Sequence, residues 1–177
     1  MGYLDASGGL PISPQYDIAQ PFSSGLALVA AMSSADGKRG FIGKRGEFLI
    51  KPTFCRAQAF AEGLAAVQVN GHWGFIDTTG TFVVEPQFDY VRQFCSGEAV
   101  VGVGDIGNEQ WSMIDTSGEV VFRCPPNCRI SGFSEGLAVM LPSPMSFTEY
   151  WYVDRNGEQA FPGRFRIADS FQRVERL

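Results

Sequence analysis

Trp73-Gly74-Phe75-Ile76-Asp77-Thr78-Thr79-Gly80 decides the fold, together with Pro86, Phe88, Phe94 and Gly97 downstream. Residues 73–77 and 81–85 are short runs of β-formers. Between them, Asp77-Thr78-Thr79-Gly80 reads as a turn with a mechanism. The Asp carboxylate accepts the backbone N–H two residues on, and Gly supplies the positive φ that closes the hairpin. The stretch Leu64-Ala65-Ala66-Val67-Gln68-Val69 reads as a further strand that returns through Asn70-Gly71-His72 to Trp73.

The pattern repeats along the chain. The turn glycine recurs at Gly8, Gly46, Gly80, Gly118 and Gly157, at intervals of 38, 34, 38 and 39 residues. An aromatic follows at Phe22, Phe60, Phe94, Phe133 and Phe171, at distances of 14, 14, 14, 15 and 14 from that glycine. Proline keeps phase at Pro14, Pro52, Pro86 and Pro125, with Pro162 one residue early, and is expected to end the second strand because it cannot donate to a ladder. Asp-x-x-Gly recurs at Asp5, Asp115 and Asp154, while Gly43 takes the Asp place in the second copy. No helical period of apolar residues is sustained over ten positions, so the chain is expected to be all-β.

The expected architecture is five tandem repeats of three short antiparallel strands, in units of 1–30, 39–69, 73–103, 111–141 and 151–177, forming a single repeat domain. One such unit cannot bury its apolar face alone, so units must share a core. A propeller-like ring is favoured over an open superhelical solenoid, because the chain starts and ends at nearly the same phase and carries no differently patterned cap.

Composition agrees. Of 177 residues, 45% are hydrophobic and 19% charged, enough for a packed core. The 21 glycines and 10 prolines exceed average usage and favour turns over a helical bundle. A net charge of −5 argues against nucleic acid as partner. No apolar run reaches the length of a membrane span, and the first residues lack a signal-peptide pattern, so a cytoplasmic location without membrane association is expected.

Trp73-Gly74-Phe75-Ile76-Asp77 and Phe133-Ser134-Glu135-Gly136-Leu137-Ala138 resemble the WG-repeat (KWG-type) proteins of bacteria, and the resemblance runs from Tyr3 to Phe171. The Trp-Gly pair survives only at Trp73-Gly74. Its counterparts read as Gly2-Tyr3, Gly40-Phe41, Trp111-Ser112 and Trp151-Tyr152. The resemblance implies an interaction scaffold that binds another macromolecule, most plausibly a protein, with no catalytic residues and no cofactor.

Several residues are of types that could carry chemistry. His72 is the only histidine; a general base is conceivable there, but its place at a turn favours a structural reading. Asp77, Asp115 and Asp154 obey the repeat, as do Glu62 and Glu135 before the second glycine, which favours turn-building over acid–base or calcium chemistry. Cys55, Cys95, Cys124 and Cys128 are expected as reduced thiols, and Cys124 with Cys128 alone falls short of a structural zinc site. No metal site is expected. Gly102-Val103-Gly104-Asp105-Ile106-Gly107 has phosphate-loop spacing, but no helix follows, so it reads as a loop between strands.

Function is expected where the copies diverge. The distance from the second glycine to the next Trp-type position is 14 (Gly25 to Arg39), 10 (Gly63 to Trp73), 14 (Gly97 to Trp111) and 15 (Gly136 to Trp151). The longer connections, 31–38, 104–110 and 141–150, carry Met32, Asp36, Asp105, Asn108, Glu109, Phe147, Glu149 and Tyr150, the expected partner-binding residues. Asp105, Glu109 and Glu149 point to a basic protein partner. The expected function is that of an immunity-type inhibitor occluding a basic toxin or effector. The alternative is a carbohydrate- or small-ligand-binding β-repeat module, for which aromatic residues would supply stacking platforms.

Overall fold

The computed structural model describes residues 1–4, 7–31, 37–142 and 149–165, and its turns close as their residues dictate. Asp77 Oδ1 accepts the amides of Thr79 (2.9 Å) and Thr81 (3.0 Å) and the Thr79 hydroxyl (2.6 Å). Gly80 takes φ +88° and donates its amide to the Asp77 carbonyl. Asp115 repeats the arrangement with Ser117 and Glu119, and Asp154 with Asn156 and Glu158. Asp5 lies outside the described residues. Hydroxyl donation, from Thr79 and Ser117 respectively, leads the causes that hold the Asp77 and Asp115 carboxyls below their ordinary value of 3.8.

A carboxyl depressed in the folded state stabilises above its unfolded value, and the contribution is lost as pH falls through the folded one. The Asp77→Asn, Asp115→Asn double variant is therefore expected to melt lower at pH 7. Its midpoint should also depend less on pH below 3.8 than that of the parent chain, as followed by circular dichroism.

A second turn recurs that the sequence pattern alone did not type. Ser24-Gly25, Glu62-Gly63, Ser96-Gly97 and Glu135-Gly136 each take two successive positive φ values, as does Asn70-Gly71. That is the twist-matched two-residue hairpin turn.

Among the described residues every element is a strand. The strands form four small antiparallel sheets. The first orders β1 (Tyr16–Ala19), β2 (Ala27–Ala31), β3 (Arg39–Ile42) and β4 (Phe48–Phe54). The second orders β5 (Arg56–Ala57), β6 (Ala65–Val69), β7 (His72–Ile76) and β8 (Phe82–Phe88). The third contains β9 (Tyr90–Val91), β10 (Glu98–Val103), β11 (Gln110–Asp115) and β12 (Val120–Arg123). The fourth has β13 (Cys128–Ser134), β14 (Leu137–Pro142) and β15 (Trp151–Val153). The chain forms two compact units, Met1–Phe88 and Asp89–Leu177.

Three expectations are corrected here. Each of the first three sheets has four strands, because a short strand before the Ser/Glu-Gly turn also pairs. The sheets also cut across the sequence repeat: β6 belongs to one copy, whereas β7 and β8 belong to the next. Proline does not end the second strand either. β4 runs through Pro52 to Phe54, and β8 through Pro86 to Phe88. Both are outermost strands, where a missing N–H breaks no ladder and discourages edge pairing.

The same prolines explain the glycine after Trp73. A Cβ on Gly74 would lie 2.5 Å from the Val84 carbonyl oxygen and 2.7 Å from Pro86 N, and Gly40 meets Ile50 and Pro52 in the same way. The backbones touch at a register shift, between Trp73 and Phe75 in one case and between Arg39 and Phe41 in the other. In the fourth copy Ser112 replaces the glycine, and Pro125 follows its turn glycine by seven residues rather than six.

The central strands are buried on both faces, which explains their continuous apolar runs. In the first unit Leu28 and Phe41 face a core shared with Val67 and Ile76 of the second sheet and with Phe60, between β5 and β6. Their neighbours Ala27, Val29 and Ile42 face Ile12 and Tyr16 on the other side. Phe41 and Phe60 meet edge to face at 4.8 Å. In the second unit Val100, Trp111, Met113 and Cys124 pack against Ile130, Phe133, Met140 and Val153.

Candidate interaction site

The divergent hairpins show what each connection is built from. β6 and β7 close with only Asn70-Gly71 between the Val69–His72 pair. β10 and β11 close further out, beyond the Val103–Gln110 pair. The base of this longer loop is fixed, since the Gly104 amide donates to Asp89 Oδ2 at 2.8 Å and the Asn108 amide to the Asp105 carbonyl at 2.9 Å. Asp105 and Asn108 are exposed at the tip, and Ile106 between them is 89% exposed.

Glu109 is not at that surface, contrary to expectation. Its side chain is 1% exposed and pairs with Arg129 Nη2 at 2.6 Å. The Arg129 guanidinium lies 5.3 Å from the Trp111 ring centroid. Glu109 follows the loop's turn back toward the sheet, so its carboxylate meets β13 instead of solvent. The next connection repeats the device more openly: Arg164 binds Glu149 at 3.0 Å and stacks over Trp151 at 5.2 Å. Two of the three loop acids expected to meet a basic partner are thus neutralised by arginines of the same unit.

Tyr150 is also a structural residue. It exchanges backbone hydrogen bonds with Phe165, and their rings stack at 5.6 Å. Trp73 pairs with Phe88 in the equivalent place, so Tyr150 holds the Trp position of the fifth copy and Trp151 the glycine position. Counting from the aromatic pair Trp151-Tyr152 misplaces this copy by one. Burial, followed by neighbouring Tyr152, pushes the Tyr150 hydroxyl pKa up. Met32, Asp36 and Phe147 lie outside the described residues.

The structure therefore brings Asp105 and Asn108 together at one tip, holds Glu149 and Tyr150 beside β15, and withdraws Glu109. Sequence reasoning missed Ile106, whose signal was an isoleucine between turn glycines Gly104 and Gly107, where no core position falls. His72 is exposed at the start of β7. The cysteines are free thiols. Burial, with Cys128 as a lesser cause, pushes the Cys124 thiol up to about 12, and burial also raises that of Cys128 despite the opposing Arg164 charge. Both therefore stay protonated at neutral pH, which weakens them as nucleophiles. Among the described residues no three metal-ligating side chains gather.

At the opposite end of β10 a cleft of about 370 Å³ is lined by Arg92, Gln93, Cys95, Glu98, Ser131 and Phe133, among others. Arg155 closes one flank, paired with Glu98 and placed 4.9 Å over the Phe133 ring.

A family model described as WG containing repeat matches residues 1–30, 40–72 and 73–104. No curated protein matches the chain. Among solved structures it is similar to "KlHsv2 with loop 6CD replaced by a Gly-Ser linker", at 13% identity and TM-score 0.47, covering 80% of this chain and 50% of that one. It is also similar to the "Crystal structure of the tricorn protease", at 17% identity and TM-score 0.38, over 89% of this chain and 18% of that one. The chain thus spans half the length of the first and less than a fifth of the second.

Proposed function

We propose that this chain, which belongs to the WG-containing repeat family, is a non-catalytic protein-interaction scaffold: a cytosolic bacterial immunity-type inhibitor that occludes a basic toxin or effector. The observation that carries the reading is the β10–β11 tip. There Asp105, Ile106 and Asn108 stand out from a loop whose base is hydrogen-bonded into the sheet, a small apolar anchor ringed by polar groups. A net charge of −5 aids encounter with a basic partner through the field of the whole chain. Glu109 and Glu149 contribute less to recognition than the sequence alone implies, because each is already paired.

Affinity capture from the native host tests it. The expected result is one stoichiometric basic protein, with binding weakened about tenfold or more, roughly 1.4 kcal/mol, by Ile106→Asp or Asp105→Lys. Failure to recover a stoichiometric protein, or binding indifferent to both substitutions, contradicts the reading. On the same reading the five sequence units close into a ring. Small-angle scattering tests that part, with a flat disc expected and an elongated rod against it.

A second reading, a small-ligand module, has the Arg92–Phe133 cleft in its favour. Its test is a glycan array: a hit lost on Arg92→Ala supports this reading, and an array without hits removes it.

A further inference from the structure

The cleft beside β10 lies where the second unit departs from the first. Each unit packs two sheets together around equivalent repeat positions. In the first, Leu28 stands opposite Phe41, and both share one buried cluster with Leu26 and Phe60. Phe41 reaches the Phe60 ring at 4.8 Å. Counting from the repeat glycines, the second unit has Val100 opposite Met113 in those places, Glu98 for Leu26 and Phe133 for Phe60. Valine is shorter than leucine, methionine is thinner than phenylalanine, and a carboxylate does not pack as leucine does. The register shift between Ile130 and Phe133 puts Gly132, at φ +95°, in the opposite wall. A Cβ there would meet only Val100 Cγ2, at 3.8 Å.

Folding alone gains nothing from these changes. An unfilled space loses packing energy, and a glutamate at a core position must be desolvated. The Glu98 side chain is 12% exposed and is held by Arg155, whose guanidinium lies 4.9 Å over the Phe133 ring. That pair cancels its own charge. Arg92, also in the lining, is exposed and has no ion pair among the described residues. The cleft thus sets one uncompensated cation beside the buried side chains of Val100, Met113 and Phe133.

We propose that this cleft binds a small organic monoanion with an apolar body, its negative end on Arg92 and its body against Val100, Met113 and Phe133. A volume of about 370 Å³ is in the range of small-molecule sites, which are mainly apolar with a few placed polar groups. A second negative charge is disfavoured, because the Glu98 carboxylate belongs to the same lining. A neutral sugar would leave Arg92 without a counter-charge. Met113, unbranched, can adjust to the shape of the body.

The test uses two exposed thiols of the full chain. Cys95 lines the cleft, whereas Cys55 lies in the first unit and serves as the internal reference. Alkylation of each by iodoacetamide is followed by mass spectrometry, with and without 2-naphthoate. Saturating 2-naphthoate is expected to slow alkylation of Cys95 about tenfold and to leave Cys55 unaffected. 2-Naphthamide, the same body without the charge, should protect far less. Two variants should lose the protection: Arg92→Ala, and the double variant Val100→Leu, Met113→Phe, which fills the space with the side chains of the first unit. Unchanged circular dichroism verifies their fold, and Arg92→Ala carries the test alone if the double variant does not fold. No protection up to the solubility of the probe, equal protection by the amide, or equal slowing at Cys55 overturns the proposal. So does protection that survives in either folded variant. A glycan array without hits excludes a sugar and leaves this anion standing. None of these readouts involves the β10–β11 tip, so the proposal and the inhibitor reading fail separately.

Discussion

Gly74→Ala destabilises the fold by about 3 kcal/mol, the largest effect expected from adding a single methyl group to this chain. The added Cβ would sit 2.5 Å from the Val84 carbonyl oxygen, 2.7 Å from Pro86 N and 2.9 Å from Glu85 C. All three are backbone atoms of the adjacent strand, so no side chain can swing aside. Either β8 separates from β7 or the register shift is lost, and both displace Phe88 and Val84 from the core. A fall in melting midpoint on the order of 10 °C corresponds to that cost. Gly40→Ala should behave alike. Ser112→Gly is the control: the fourth copy already accommodates a Cβ, so reversion costs only about 0.5–1 kcal/mol of strand propensity. Equal tolerance of alanine at Gly74 and serine at 112 would show that the Trp-Gly glycine has another reason.

Arg129→Ala is expected to cost about 3 kcal/mol, because it takes away the guanidinium that pairs with the buried Glu109 carboxylate. Removing both groups in Arg129→Ala, Glu109→Ala should recover part of that loss, since the buried carboxylate is then removed together with its partner. Arg164→Ala, whose pair with Glu149 is far more exposed, should cost at most about 1 kcal/mol. Urea denaturation of the four proteins measures all three differences. If Arg129→Ala proves neutral, Glu109 reaches solvent and returns to the set of recognition residues.

These results separate what the amino-acid order determines locally from what only packing decides. The Asp-x-x-Gly turns were legible because donor, acceptor and positive-φ residue all lie within five positions. Repetition of the strands was legible for the same reason, as glycine and aromatic markers keep their spacing. Partition into sheets was not, because β5 pairs with β6 across the intervening loop, and the Asn70-Gly71 hairpin joins β7 to β6 across the boundary between sequence copies. Pro52 and Pro86 read as strand ends only while their strands are not known to be outermost. Glu109 looked like a loop acid because its partner is 20 residues away on another strand. Asp105 and Asn108 were found since they extend a connection that Asn70-Gly71 closes in two residues elsewhere. Ile106 was passed over because isoleucine in a β-rich sequence usually belongs to the core.

The account rests on a division between a scaffold fixed by its repeats and a tip free to recognise a partner. Replacing residues 104–109 with Asn-Gly would give β10 and β11 the same connection as β6 and β7, and would remove Glu109 together with the tip. The direct measurement is partner capture by this shortened chain, with a cooperative thermal melt confirming its fold. The account predicts a folded protein that no longer retains the basic partner held by the parent chain. Undiminished capture by the folded, shortened chain would contradict it.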